Sequence, residues 1–415
     1  MRSLLRIPNK KALVRACYRA LMPSRRREVS LRQSLETAYA WLCAAQDATP
    51  DDGVAAGFSL VKGWWASYPE TTGYIIPTFL TYAEVMREPK ARERAIRMAD
   101  WEIDVQLPSG AVRSGTLSTP VGPAVFNTGQ VLFGWVSAYQ ATGEARFARA
   151  AQRAAEWLLR EQDEDGAWRK NLSLLTHRPV HTYNVRAAWG LALTGHVFDE
   201  PRWITAARKN CEWTLMQQQQ NGWFRHNGFT KNEAPLLHTI AYTLEGLLGV
   251  GELLDEERYV EAAASGALPL AAIYDASRRL RGRYRSNWQQ AVRWRCLTGE
   301  AQMALVLLRL AKHSTRDIAF ASIGRAILRD LSVIQDHASP YPESHGGISG
   351  SQPLWGDYNA LAYINWAAKF YMDALMLSEL GVDVHPPSAA QIRSVFEADH
   401  PRACSGGWQT ESRVG

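Results

Sequence analysis

The sequence predicts an all-α protein built as an (α/α)6 toroid, six helical hairpins closed into a double ring. Three observations lead there. Trp101, Trp157 and Trp213 recur 56 residues apart, as do Gln106, Gln162 and Gln218, and Gly110, Gly166 and Gly222. Each interval holds two helical patterns, one apolar on nearly every side and one with a wet face. Six such pairs fit the 415 residues, and closing the ring covers inner helices that an open solenoid would leave partly bare.

The first element stands outside the repeat. Residues 1–27 hold nine basic and no acidic residues. Within them 10-KKALVRACYRALM-22 spaces apolar and basic residues as an amphipathic helix lying on a surface does. Residues 1–30 therefore read as a basic arm. It suits an anionic membrane surface or a partner, and equally a plain solvated helix. Nucleic acid is disfavoured, because no motif accompanies the charge. Setting these nine aside leaves 38 basic against 41 acidic residues, a net of −3, so the body is near neutral.

The ring follows over residues 31–400, with 401–415 as a tail. Trp41 and Gln46 keep the five-residue gap of the later copies, their turn stretched to Asp51-Asp52-Gly53. Outer helices are expected to begin near 31, 91, 145, 202, 256 and 316, and inner helices near 72, 127, 183, 237, 298 and 358. The clearest pair is 130-QVLFGWVSAYQATG-143, apolar all round, followed by 145-ARFARAAQRAAEWLLREQ-162, charged on one side. Gly143 stops the first and 163-DEDG-166 turns after the second. The next pair repeats this as 184-NVRAAWGLALTGHVF-198 and 202-RWITAARKNCEWTLMQQ-218. Beyond 255 the register weakens, and 337-HASPYPESHGGISGSQPLWGDY-358 is a long Gly/Pro/Ser loop suited to a lid. No strand-like alternation stands out.

Composition excludes several classes. The N-terminus lacks the apolar stretch of a signal peptide, and no segment is apolar for long enough to span a bilayer. Cys17, Cys43, Cys211, Cys296 and Cys404 are scattered without a C-x-x-C, as reduced thiols of a cytoplasmic protein would be. No H-x-x-x-H or H-x-x-E spacing, nucleophile elbow or phosphate-binding glycine loop is present, so no metal or cofactor is expected. The 16 Trp are first packing residues and only secondarily a sugar-stacking surface.

The chemistry is expected where inner-helix N-termini share one rim, with unpaired N–H groups and positive dipole ends. The repeat aligns Tyr74, Gln130, Arg186 and Tyr242 at one rim position, with Glu300 in the fifth pair after a two-residue insertion. Nearby stand Glu70, Asn127, His181, Tyr183, Asn184 and His238. The last pair contributes Asp357, Tyr358 and Asn359, and its loop adds Glu343 and His345. His181 and His238 read equally as capping or satisfied core residues, and Glu300 and Asp357 as caps. Arg186 lies on the unfavourable side of a helix dipole, so it needs a carboxylate such as Glu70 or Glu300, or a substrate anion.

The Q-x-x-x-G-x-W turn resembles the repeat signature of triterpene cyclases, but their Asp-rich acid motifs do not occur here. The six-pair layout resembles the six-hairpin glycosidase-like and polysaccharide lyase toroids. The segment 235-PLLHTIAYTLEGLLGV-250 is similar to the Tyr-bearing helix of the C-terminal domain of glucuronyl C5-epimerases. Gly129-Gln130 and Arg293-Trp294 are similar to pairs of the same family. That likeness implies a glycan substrate and acid/base chemistry at C5 of a uronic acid, by epimerisation or β-elimination, with Tyr242 in the carried-over position. The family's two histidines after the Arg-Trp are Leu297 and Glu300 here. Read from the residues alone, Tyr242, Tyr74, His181 and His238 are candidate acids and bases. Asn127, Gln130, Asn184 and Arg186 would neutralise the sugar carboxylate. Two alternatives stay open. One is an inverting glycoside hydrolase using two of Glu70, Glu300 and Asp357. The other is a toroid that binds a glycan or a partner without turnover. The basic arm would hold the enzyme peripherally at the inner membrane.

Overall fold

The computed structural model describes residues 9–21, 29–174, 176–231, 233–313 and 319–385. After α1 (Lys10–Leu21), twelve helices alternate between an outer and an inner layer. The outer set is α2 (Leu31–Asp47), α4 (Pro89–Asp104), α6 (Ala145–Glu161), α8 (Pro201–Leu215), α10 (Glu257–Ser277) and α12 (Phe320–Ile334). The inner set is α3 (Pro69–Met86), α5 (Val125–Thr142), α7 (Val185–Val197), α9 (Leu237–Leu254), α11 (Leu297–Leu310) and α13 (Asn365–Leu380). Each inner helix packs on the next and α13 returns to α3, so the ring closes. Residues 386–400 and the 401–415 tail lie outside the described residues, as do residues 1–8 and 22–28 of the arm.

The repeated residues are the stitches of this ring. Gln162 Nε2 donates to the Gly166 carbonyl in its own turn and to Ala206 O on the next outer helix. Gln106 does the same to Gly110 and Ala150, and Gln218 reaches Ala262. Gly166 has φ +89°, and a Cβ there would stand 2.3 Å from Lys209 O on that same next helix. Only glycine meets both demands. The ring closes with the same stitch, which the sequence pattern does not show. Gln335 Nε2 donates to Gly346 O and to Ser34 O on α2, and Gly346 has φ +78° against Thr37 O. Another 56-residue series escaped the sequence reading: Glu88, Glu144, Glu200 and Glu256 are the N-caps of four outer helices. A carboxylate there suits the positive end of the helix dipole.

The repeat tryptophans are structural. Trp41, Trp101, Trp157 and Trp213 are all buried. Two short sheets, too brief to carry a period, tie the rim together. β1 (Gly57–Ser59) pairs with β2 (Gly63–Trp64) and β5 (Ala362–Ile364), and β3 (Arg295–Cys296) pairs with β4 (Ser351–Gln352). They shift the last inner helix, which begins at Asn365 rather than near 358. The segment holding Asp357, Tyr358 and Asn359 is therefore loop.

Helix α1 is docked rather than free-standing. Ala12 and Ala16 are buried, and Arg15 and Arg19 both reach Asp336 at the end of α12. No described helix is long and apolar enough to cross a membrane.

Candidate active site

The N-terminal ends of the inner helices bring most of the expected residues together. Glu70 sits in the first turn of α3, buried, and accepts a 2.5 Å hydrogen bond from the Tyr68 hydroxyl. Burial pushes its carboxyl up to about 7, although Tyr68 and the nearby Arg186 charge pull the other way. Burial holds the phenols of Tyr74, Tyr183, Tyr242 and Tyr358 well above their ordinary range, and the Glu70 charge adds to this.

Tyr242 points into the ring. It packs on Phe126 at 4.9 Å, His238 at 4.3 Å and Phe370 at 5.8 Å between centroids. Burial, then the Glu70 charge, hold its hydroxyl well above the usual phenol range, so it stays protonated. His238 has a defined tautomer. Gln302 Nε2 donates to the Glu245 carboxylate, which turns the amide oxygen of Gln302 toward His238 Nδ1, 2.6 Å away. Nδ1 must carry the proton, leaving Nε2 as an acceptor. Burial lowers this imidazole to about 4, so it is neutral at pH 7. His181 is lowered to about 3 by burial and the Arg178 charge, and stacks on Tyr183 at 4.6 Å.

Below these residues lies a layer of closed ion pairs. Arg186 is fully buried, ringed by Tyr74, Phe133, Trp189, Tyr242 and Phe370 within 5.8 Å. Its carboxylate partner is Glu245, at 3.1 and 3.3 Å, and not Glu70 or Glu300. Lys369 pairs with Asp373 at 2.6 Å, and Asp373 also accepts from Thr78. Arg309 pairs with Glu252. Buried His385 packs on the Trp189 and Phe133 rings at this end, next to buried Val384.

Buried polar atoms without a partner occur in both layers, Arg186 Nη1 and His385 Nε2 below and more of them at the rim above. Tyr74 Oη, Tyr242 Oη, Asn127 Oδ1, Asn184 Nδ2, both amide atoms of Gln130 and both ring nitrogens of His181 are buried without a protein hydrogen-bond partner of good geometry. Buried polar atoms of this kind are costly and uncommon in a finished core.

Five expected site residues stand elsewhere. Glu300 does not face the interior. It pairs with Arg295, and its surroundings are Asp330 and Arg281 of the outer side. The reason is register. Tyr242 is the sixth residue of α9, and the sixth residue of α11 is Gln302. The insertion is four residues, not two, and a two-residue error turns a side chain by about 200° on a helix. Aligning Leu237 with Leu297 would have revealed it. Asp357 is 68% exposed and reaches Arg283 at 3.4 Å, away from the ring interior. Asn359 is a loop residue at φ +50°. Only Tyr358 of that trio reaches the rim, its ring 5.7 Å from His238 and its hydroxyl accepting from Trp366. Glu343 and His345 lie elsewhere: Glu343 holds Asn9 and Trp41, and His345 bonds Ser339. Gly129 has a packing role, since a Cβ there would meet Ala187 at 2.3 Å.

No protein-family model and no curated protein matches the sequence. Solved structures do. An unsaturated glucuronyl hydrolase specific for heparin is similar at 18% identity and TM-score 0.67, covering 85% of this chain and 98% of that one. The unsaturated glucuronyl hydrolase of Bacillus sp. GL1, responsible for glycosaminoglycan degradation, gives 14% and 0.67, with 86% and 99% covered. A sugar epimerase from a ruminal bacterium gives 11% and 0.68, with 85% and 98% covered. The chain thus has the (α/α)6 toroid fold of six-hairpin glycosidase-like proteins, and at these identities the likeness is one of fold.

Proposed function

We propose that the chain is a carbohydrate-active enzyme that abstracts the C5 proton of a uronate in a polysaccharide or oligosaccharide. The observation that carries this reading is Glu70: a buried carboxyl poised at about 7 among four tyrosines that stay protonated. A base near the working pH balances availability against driving force. Glu70 takes the proton as the C5–H bond breaks, and the electron pair spreads onto the sugar carboxylate. Uncharged donors suit that developing charge. Tyr74, Asn127, Gln130 and Asn184 are the candidates, because the charge of Arg186 is already met by Glu245. Tyr242 then gives its proton, either to the opposite face of C5, which inverts it, or to the departing O4 as the C4–O bond breaks. Turnover closes when Glu70 returns its proton to water and Tyr242 takes one back; His238 Nε2 carries none to give, and its part is to accept from the Tyr242 hydroxyl and orient it.

Paired-carboxylate hydrolysis is less well supported, since Glu300 and Asp357 stand away from Glu70. A one-carboxyl variant keeps a foothold. Protonated Glu70 could deliver its proton to the double bond of an unsaturated uronide, the substrate kind named for two of the similar structures. Proton NMR in D2O with uronate-bearing glycans tests this. Loss of the H5 signal, with or without a new vinyl proton, supports C5 abstraction. Loss of an existing vinyl proton supports the unsaturated-uronide reading. No change with any glycan leaves a binding toroid.

The arm retains its own proposal. With Arg15 and Arg19 turned to Asp336, the outward face of α1 shows Val14 and Leu21, 68% and 64% exposed, beside Lys10 and Lys11. Such a face suits shallow insertion into an anionic bilayer. Val14→Asp with Leu21→Asp should abolish binding to anionic liposomes; unchanged binding rejects the idea.

A further inference from the structure

A cavity of about 390 Å³ opens beside the rim, between the segments that lead into α7 and α9. Arg178, Arg225, Lys231 and Arg285 line it, with Trp223 as an aromatic wall. The acid among its lining residues, Glu233, is turned to Arg283 at 3.2 Å. None of the four cations pairs with a described carboxylate. Arg178 donates to the Thr230 carbonyl and Arg225 to that of Met216, neutral acceptors that leave the charge uncancelled. The outer helices behave differently: Arg94, Arg146, Arg202 and Arg258 are each paired with an acid.

A second, independent feature points to a ligand. Asn227 also lines the cavity, is 2% exposed, and its Nδ2 has no partner, while its oxygen accepts from Thr182 and Thr243. Those threonines neighbour Tyr183 and Tyr242. Asn227 is thus bonded to the same two segments that carry Tyr183 and Tyr242, and the cationic cavity backs onto the elements of the rim.

We propose that this cavity is a subsite for a sulfated sugar one or more units away from the reacting uronate. Guanidinium groups take the anionic substituent, and Asn227 Nδ2 takes a ring hydroxyl. The proposal rests on the glycan reading for its sugar but not on the reaction.

Calorimetry with a chondroitin 6-sulfate tetrasaccharide and its desulfated counterpart tests it, at low and high salt. The native protein should bind the sulfated probe about tenfold more tightly, with the gap narrowing as salt rises. Arg225→Gln with Arg285→Gln, both exposed positions, should erase the gap while the desulfated probe still binds. Asn227→Ala should weaken both probes. Equal affinity for the two probes in the native protein, or a preference that survives the double substitution, overturns the proposal. A DNA oligonucleotide of equal charge that competes as well as the sulfated sugar also overturns it. If H5 exchange is absent but the sulfate preference follows the arginines, the catalytic reading falls and the subsite stands.

Discussion

Two adjoining layers of the inner ring are both buried and polar, yet they handle charge oppositely. At the floor every formal charge has a counterpart: Arg186 with Glu245, Lys369 with Asp373, Arg309 with Glu252. At the rim, Glu70 has a phenol instead of a cation, Gln130 and Asn184 hold buried polar atoms without a hydrogen-bond partner, and the Tyr74 and Tyr242 hydroxyls have only each other. Burial therefore does not separate structure from function here. Satisfaction does. A paired floor fixes the helices, and its cost was met when the protein folded. An unpaired rim keeps its binding capacity for something that is not part of the chain.

The sharpest way to break this contrast is Glu70→Gln. It should lower turnover by about 10²- to 10⁴-fold without unfolding the protein. The sign of its stability effect is opposite to that of a paired acid. The carboxyl is raised from 4.5 to about 7, so the wild type keeps its full stability below pH 4.5 and loses it as pH climbs through 7. The Gln variant should gain up to about 3 kcal/mol at pH 8 and nothing at pH 4. Thermal melts across that range, beside kcat, check both parts. A variant less stable at every pH would make Glu70 a structural residue.

Glu245→Gln is the counterpart at the floor. It strands Arg186 in a dry site and should cost about 3–5 kcal/mol in urea unfolding. If stability holds while turnover collapses, the floor belongs to the active site and the contrast fails.

Glu300→Gln and Gln302→Leu sharpen the line between the layers. The first should loosen Arg295 and leave turnover alone. The second removes the oxygen that fixes the His238 tautomer and should cost about 10- to 100-fold in kcat with a modest change in stability. The reverse result would restore Glu300 to the site.

The smallest effect belongs to the stitches. Gln162→Ala deletes two hydrogen bonds and leaves the Gly166 and Ala206 carbonyls without them, which should cost about 1–3 kcal/mol of stability with turnover unchanged in native protein.

Much of this was legible in the chain. A 56-residue period in Trp, Gln and Gly announces a repeat, because each unit must bury its helices against the next through one recurring joint. Apolar-all-round against one-sided patterns then assigns the layers. The rim was legible as far as the register held, so Glu70, Tyr74, Gln130, Arg186, His238 and Tyr242 could be placed by counting. Counting failed at the four-residue insertion before α11, which hid Gln302 and promoted Glu300. It failed again where the loop through Asp357 ran into a short strand instead of a helix. Tyr68, Glu245, Lys369 and Asp373 carried no spacing signal, since each is defined by what it touches.

The sequence by itself determined the period, the two layers and the joints, because these follow from local pattern and from contacts repeated at a fixed interval. Only the tertiary structure decided which polar residues are paired and which are left unpaired. That depends on partners such as Glu245 for Arg186 or Ser34 for Gln335, 59 and 301 residues away. It also decided the proton affinity of Glu70. A carboxyl titrates by the water it has lost, and the ring of helices around Glu70 is what takes that water away.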